Sequence, residues 1–276
     1  MLLLALDTST RQASIALSDE HTLYGEYTWQ VGNNHSVELL SRVQRLVAEC
    51  GNTMQDVDGI AVATGPGSFN GVRVAVATAK ALAFALQRPL VGMSTLDVIA
   101  AQQRQWRGPV CSVLEAGRSD LYAACYVFDE VSRDGEIVYQ LRQLSDYLLL
   151  NPSRLASHLE ENLNLWVGVP GEYQLPPLLF CGELSEASRQ ALYIQMRGKN
   201  LFVSDAHAVR HASVLALLAL QRLHDDRVDD PMLLEPMYLR RPSITASTRK
   251  QPLLGNKPPR SADQSKTERE QGALRH

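Results

Sequence analysis

The chain has 276 residues, 45% of them hydrophobic and 21% charged, with a formal net charge of −3. These are the proportions of a soluble globular protein long enough for about two domains with cores of their own. The charge is uneven: from Ser243 onward seven Lys or Arg face three acids, so the tail carries +4 and the body −7, a balance that argues against the body as a stand-alone nucleic-acid binder.

The opening MLLLALDTST lacks a basic start and its apolar run ends at Asp7, so a first strand is expected there and not a signal peptide or membrane span. Residues 2–7 and 12–18 read as a strand pair around the polar turn DTSTRQ, and 22–29 as a third strand. Leu39, Leu40, Val43, Leu46, Val47 and Cys50 then recur at helical spacing, with Ser36 placed to cap the helix and Gly51 to end it. A short apolar run, 59–64, leads into GPGSFNG and an alanine-rich stretch, Val72 to Leu86, that reads as a helix. Leu90–Gly92 is a short strand, and Ser94 with Asp97 resembles a capping box for a helix to about Gln103.

After Gly108-Pro109 the pattern restarts. Strands are expected near 110–115, 121–128 and 136–143, then helices near 153–163, 185–194 and 209–223 around an apolar strand at 178–182. Two halves that open with the same three-strand order suggest a duplicated α/β fold: an N-terminal lobe, 1–107, and a C-terminal lobe, 108–242. From Ser243 the chain is polar, proline-interrupted and basic, and is expected to be a disordered tail, 243–276. Cys50, Cys111, Cys125 and Cys181 form no C-x-x-C pair and sit in apolar runs, as expected of buried reduced thiols in a reducing cytoplasm.

The turn at Gly65, Gly67 and Gly71 raises the question of a bound phosphate, since a glycine-rich strand-to-helix turn offers free N–H groups at the positive end of a helix dipole. The spacing fits neither G-x-G-x-x-G nor a P-loop, which leaves a tight turn as the other reading.

LALDTSTRQASIAL at the start, GPGSFNGVRVAVATAKALA, LEAGRSDLYAACY and PMYLRR together resemble the TsaB (YeaZ) family of bacterial tRNA threonylcarbamoyladenosine proteins, over roughly residues 1–242. The chain departs from the family at Asn70, where Thr is usual, and at Glu115, where Asp is usual. The resemblance implies an actin-like (ASKHA, RNase H-like) two-lobed fold and a non-catalytic dimerisation subunit beside the paralogous TsaD subunit, which transfers threonylcarbamoyl to the adenosine next to the anticodon. A TsaE-like ATPase, tRNA reached mainly through the complex, ATP or ADP within the complex and a homodimer when TsaD is absent belong to the same expectation. No intrinsic cofactor, metal or membrane is expected.

Asp7, Thr8 and Ser9 in the first hairpin turn, Gly65, Gly67 and Ser68 in the glycine turn and Arg118 in the second hairpin turn are the candidate nucleotide contacts. Ordinary turn chemistry accounts for the same residues, and an ion pair with Asp120 for Arg118. The helix over 72–86 is apolar nearly all round and needs cover on more than one side. Through Val72, Val76, Ala79 and Ala83, with Leu39 and Val43 of the preceding helix, it is expected to meet TsaD or a second copy. TsaD-like subunits carry H-x-x-x-H on the helix after the next strand; here that place reads VGMSTLDVIA, without histidine. His207 and His211 in HAVRH lie one helical turn apart but lack a third ligand, and His35 is either a contact to a partner or to nucleotide in the cleft, or a loop histidine near a helix cap. An independent actin-like ATPase or kinase is the alternative function, and a metallopeptidase the least favoured.

Overall fold

Two strands, Leu3–Asp7 (β1) and Gln12–Ser18 (β2), are buried along their whole length, as strands covered on both faces are. Leu4, Leu6, Ile15 and Leu17 face one layer, while Leu3, Ala5 and Ala16 face the other. The computed structural model describes residues 1–31, 35–133, 136–167, 176–198 and 200–240, with backbone alone at 35–37, 133 and 136. The expected tail therefore lies outside the described residues.

The first half continues with β3 (Leu23–Gln30), α1 (His35–Glu49), β4 (Gly59–Ala63), α2 (Phe69–Leu86), β5 (Leu90–Met93) and α3 (Thr95–Ala101). Its sheet runs β3-β2-β1-β4-β5, with both hairpin pairs antiparallel and the two crossovers parallel. The second half holds β6 (Val110–Glu115), β7 (Leu121–Arg133), β8 (Glu136–Gln143), β9 (Leu148–Leu150), α4 (Pro152–Val167), β10 (Leu178–Glu183), α5 (Glu186–Gln195), β11 (Asn200–Phe202) and α6 (Ala212–His224). Its order, β8-β7-β6-β10-β11, repeats the first sheet strand for strand and sense for sense, with β9 added against β7. The fold is the duplicated, two-lobed actin-like α/β arrangement.

The two halves exchange cover. Leu96, Ile99 and Ala100 of α3 pack on the second sheet against Val110, Leu114 and Tyr126. Ala212, Leu215, Ala216, Ala219 and Leu220 of α6 pack on the first sheet against Leu3, Ala5, Ala61 and Ala63. A boundary at 107/108 separates the two sheets but not the layers that cover them, and Met1–Arg241 forms one compact unit. After α6 a strap, Asp229 to Arg240, runs back across the molecule. Its bonds are Asp229 N to Leu90 O (2.8 Å), Lys80 Nζ to Leu234 O (3.1 Å) and Met237 N to Thr64 O (2.7 Å).

Local signals hold with instructive exceptions. Gly51, at φ +74°, ends α1 with its N–H on Ala48 O and that of Asn52 on Val47 O, a left-handed C-terminal cap. The helix begins at His35, before Ser36, so Ser36 is not its cap, and the His35 side chain lies outside the described residues. Ser68 caps α2 by accepting from Gly71 N, which starts that helix three residues ahead of Val72. Ser94 caps α3 through Leu96 N, but Asp97 does not close a capping box. Its carboxylate accepts from the hydroxyls of Tyr126 (2.7 Å) and Tyr147 (2.9 Å) instead, and burial raises its pKa.

The expected partner surface needs correction. Leu39, Val43, Val72, Val76, Ala79 and Ala83 are all buried in the chain's own core, where α1 and α2 pack on the first sheet. Among the described residues α2 is the one helix long and apolar enough to cross a membrane, yet this stripe seats it as a core helix. The face it leaves exposed carries Phe69, Arg73, Ala77, Ala81, Phe84 and Ala85.

Candidate functional site in the cleft between the sheets

A cleft of about 660 Å³ opens where the first hairpin turn, the glycine turn, the ends of β6 and β10 and residues 205–209 converge. Its lining includes Thr10, Arg11, Gln12, Gly67, Ser68, Glu115, Tyr122, Glu183 and Asp205. Glycine-turn and hairpin-turn residues thus do meet at one site, but most of their polar groups are already engaged.

Asp7 is 1% exposed, and its Oδ1 accepts from both Ser9 N (2.8 Å) and Ser9 Oγ (2.6 Å). Its Oδ2 accepts from Arg210 Nε at 2.9 Å. Arg210, also 1% exposed, donates in addition to the Glu183 carboxylate and to Gln12 O (2.5 Å), while its backbone N–H reaches Gln12 Oε1 (2.8 Å). Burial works against the guanidinium charge, but Asp7 and Glu183 outweigh it and raise its pKa. Thr10 Oγ1 donates to the same Glu183 at 2.7 Å. The acid that the hairpin turn offers is therefore neutralised from within by a residue 203 positions away.

The glycine turn packs closely on the backbone of the first hairpin turn. Thr8 Oγ1 donates to Gly71 O (2.7 Å), and Ser68 N donates to Ser9 O (2.6 Å). A Cβ on Gly67 would lie 2.0 Å from Ser9 O, and one on Gly71 2.0 Å from Thr8 O. These two glycines are needed because the turns touch main chain to main chain. Gly65, at φ +99°, accepts from Thr95 N (2.8 Å) at its carbonyl and packs under the strap. Replacing Gly67 by alanine is expected to destabilise by about 3 kcal/mol, the upper end of overpacking costs. Gly117→Ala, with nothing within 4 Å and only φ +69° to strain it, should cost about 1–2 kcal/mol. Paired thermal melts of the two variants check this ordering.

The second lobe shows the same internal closure. Ser185 caps α5, and its N–H donates to Glu115 Oε1 at 2.9 Å, so a carboxylate of the chain already sits at that helix N-terminus. Arg118 does not line the cleft: it is an exposed turn residue at φ +56°. The Asp120 it was expected to pair with is bound by Arg240 at 2.5 Å. Of the lining charges, Glu183 and Asp205 are paired with Arg210 and Arg189. Arg11 is the lining charge whose side chain has no partner among the described residues.

His207 and His211 part company. His207 lies in a short 3-10 turn and shares a hydrogen with Ser204 Oγ (2.8 Å), so it does not cap α6; His211 takes that position and meets Glu26 at 2.8 Å. Among the described residues no group of three His, Cys, Asp or Glu is placed to hold a metal. The informative member of HAVRH is Arg210, which local spacing does not mark because its partners are remote in sequence.

A family model described as TsaD: tRNA N6-adenosine threonylcarbamoyltransferase matches residues 29–247. The tRNA threonylcarbamoyladenosine biosynthesis protein TsaB of Bacillus subtilis is 36% identical to this chain over 148 residues, 54% of the chain and 65% of that protein. That match spans just under two thirds of the relative. TsaB of Haemophilus influenzae is 28% identical over 244 residues, 87% of this chain and 94% of its own length. Two solved Pseudomonas aeruginosa structures, one of YeaZ and one described as similar to peptidase YEAZ, superpose with a TM-score of 0.66. Their identities are 27% and 28%, and they cover 86% and 87% of this chain and 99% of each of theirs.

Proposed function

The chain belongs to the TsaB (YeaZ) family of tRNA threonylcarbamoyladenosine biosynthesis, within the wider group that the TsaD family model describes, and from that premise we propose that it is a non-catalytic subunit partnering a TsaD-like transferase. The observation that carries the reading is the internal pairing of the polar groups around the cleft. Asp7 is bound by Arg210, Ser9 O takes the Ser68 N–H at the start of α2, and Glu115 takes the Ser185 N–H at the start of α5. An ATPase or kinase of this fold needs those groups for phosphate and its counter-ion, and here each has a partner in the chain. ATP or ADP, a TsaE-like ATPase and tRNA then enter through the complex, in the cytoplasm.

The exposed side of α2 suits a partner helix. Phe69 is 39% and Phe84 71% exposed, with Ala77 and Ala81 exposed between them, and small residues let a second helix approach closely. A TsaD-like subunit occupies this face in the complex, and a second copy of the chain when that subunit is missing.

Two measurements on the purified chain test the proposal. With ATP and magnesium alone, turnover should stay at background. Mixed with the organism's TsaD-like protein, the chain should co-elute and support threonylcarbamoyl transfer to tRNA. ATP turnover by the chain alone would favour the kinase-like alternative, and failure to co-elute would remove the subunit role.

A further inference from the structure

The second lobe places two cysteines in register. Cys111 on β6 lies directly opposite Cys125 on β7, and both side chains enter the same core layer, beneath α4 and α5. The ladder pattern at this step can be read from Cys125. Its N–H donates to Ser145 Oγ (3.0 Å) and its carbonyl accepts from Leu144 N (2.7 Å), both away from β6. Cys111 and Cys125 are therefore a non-hydrogen-bonded antiparallel pair, in which Cα atoms lie about 4.5 Å apart and the side chains come closest. A disulfide spans Cα separations of roughly 4.4–6.8 Å. The third cysteine of the lobe is excluded by the pleat: Cys181 of β10 pairs with Ser112 and belongs to the layer on the other face of the sheet. Cys50 is in the other lobe, packed against α1 and the first sheet.

We propose that Cys111 and Cys125 form an oxidation site, a cross-strand thiol pair that a peroxide converts to a disulfide without repacking the lobe. In the balanced step one thiol sulfur attacks the peroxide oxygen, giving a sulfenic acid and releasing water. The second sulfur then attacks the first, forming the S–S bond and releasing the sulfenic oxygen as a second water with the remaining thiol proton. The pair loses two electrons, and hydrogen peroxide is reduced. Both residues are fully buried, and burial pushes the Cys111 thiol well above its ordinary pKa, helped by the hydrogen bond its S–H makes to Cys125. The reaction is therefore slow at neutral pH, speeds up as pH rises, and favours an oxidant small and neutral enough to enter the core. The central strand it would cross-link ends at Leu114 and Glu115, which line the cleft.

The test uses the full chain. The folded protein is exposed to hydrogen peroxide over a series of times and pH values, quenched, denatured and alkylated, then digested without reduction for mass spectrometry. The expected product is one linkage, between the peptides holding Cys111 and Cys125, which dithiothreitol reverses. Cys181 should stay alkylatable, partly exposed Cys50 should stay outside the linkage whatever its own oxidation state, and Cys181→Ala should leave the linkage in place. Four alkylatable thiols after the longest exposure at the highest pH that preserves the circular dichroism spectrum would overturn the proposal. So would a linkage involving Cys181, or conversion of Cys111 or Cys125 to sulfinic acid in place of the disulfide.

Discussion

Replacing Arg210 by methionine is expected to cost the fold about 3–5 kcal/mol, the range for breaking a buried ion pair by removing one partner. Methionine keeps the length and apolar stem of the side chain but leaves Asp7, 1% exposed, with two hydrogen bonds from Ser9 and no counter-charge. Glu183 and Gln12 O each lose the Arg210 donor as well, which leaves Glu183 with the hydroxyl of Thr10. Urea unfolding at neutral pH measures the loss, and the double variant Arg210→Met with Asp7→Asn should recover much of it, because no charge is then stranded. A single-variant loss below about 1 kcal/mol would show that the guanidinium is not what balances Asp7.

The second large effect separates the two faces of α2. Ala79→Glu places a carboxylate at a position with no exposure, in the layer between α2 and the first sheet. It should destabilise the monomer by more than about 4 kcal/mol, the class reserved for unpaired buried charge. Ala81→Glu, two residues along but on the exposed side, should change monomer stability by no more than about 0.5 kcal/mol. Its association with a TsaD-like subunit should weaken by of order 2 kcal/mol. Circular dichroism melts with light scattering, alone and with the partner, read both numbers. A folded Ala79→Glu monomer that fails to associate would restore the buried stripe as the interface.

Much of the fold was legible in the sequence because its strands are short apolar runs with clear ends. β1, β4 and β10 show as mainly apolar stretches because they are buried on both faces, β2 and β6 keep enough aliphatic residues around Ser14 and Ser112 to read as strands, and Gly51 stops α1 where its left-handed geometry is needed. β9 and β11 escaped notice because three residues carry no period. The exchange of α3 and α6 was also hidden, since an apolar stripe specifies that a helix is covered and not by which sheet. The site was less legible for a related reason. Glycines at 65, 67 and 71 signal close approach to something, and spacing cannot tell a phosphate from the backbone of Thr8 and Ser9. Arg210 meets Gln12 across 198 residues, a contact no local pattern encodes.

The exchange of α3 and α6 has a consequence for synthesis on the ribosome. The first sheet is complete once β5 has emerged, but Leu3, Ala5, Ala16, Ala61 and Ala63 are closed over by α6, from Ala212 to His224. For most of translation one face of that sheet has no native cover, and exposed apolar surface of this kind is what chaperones bind. The order of events is fixed by connectivity: the amino-terminal sheet is made first and sealed last.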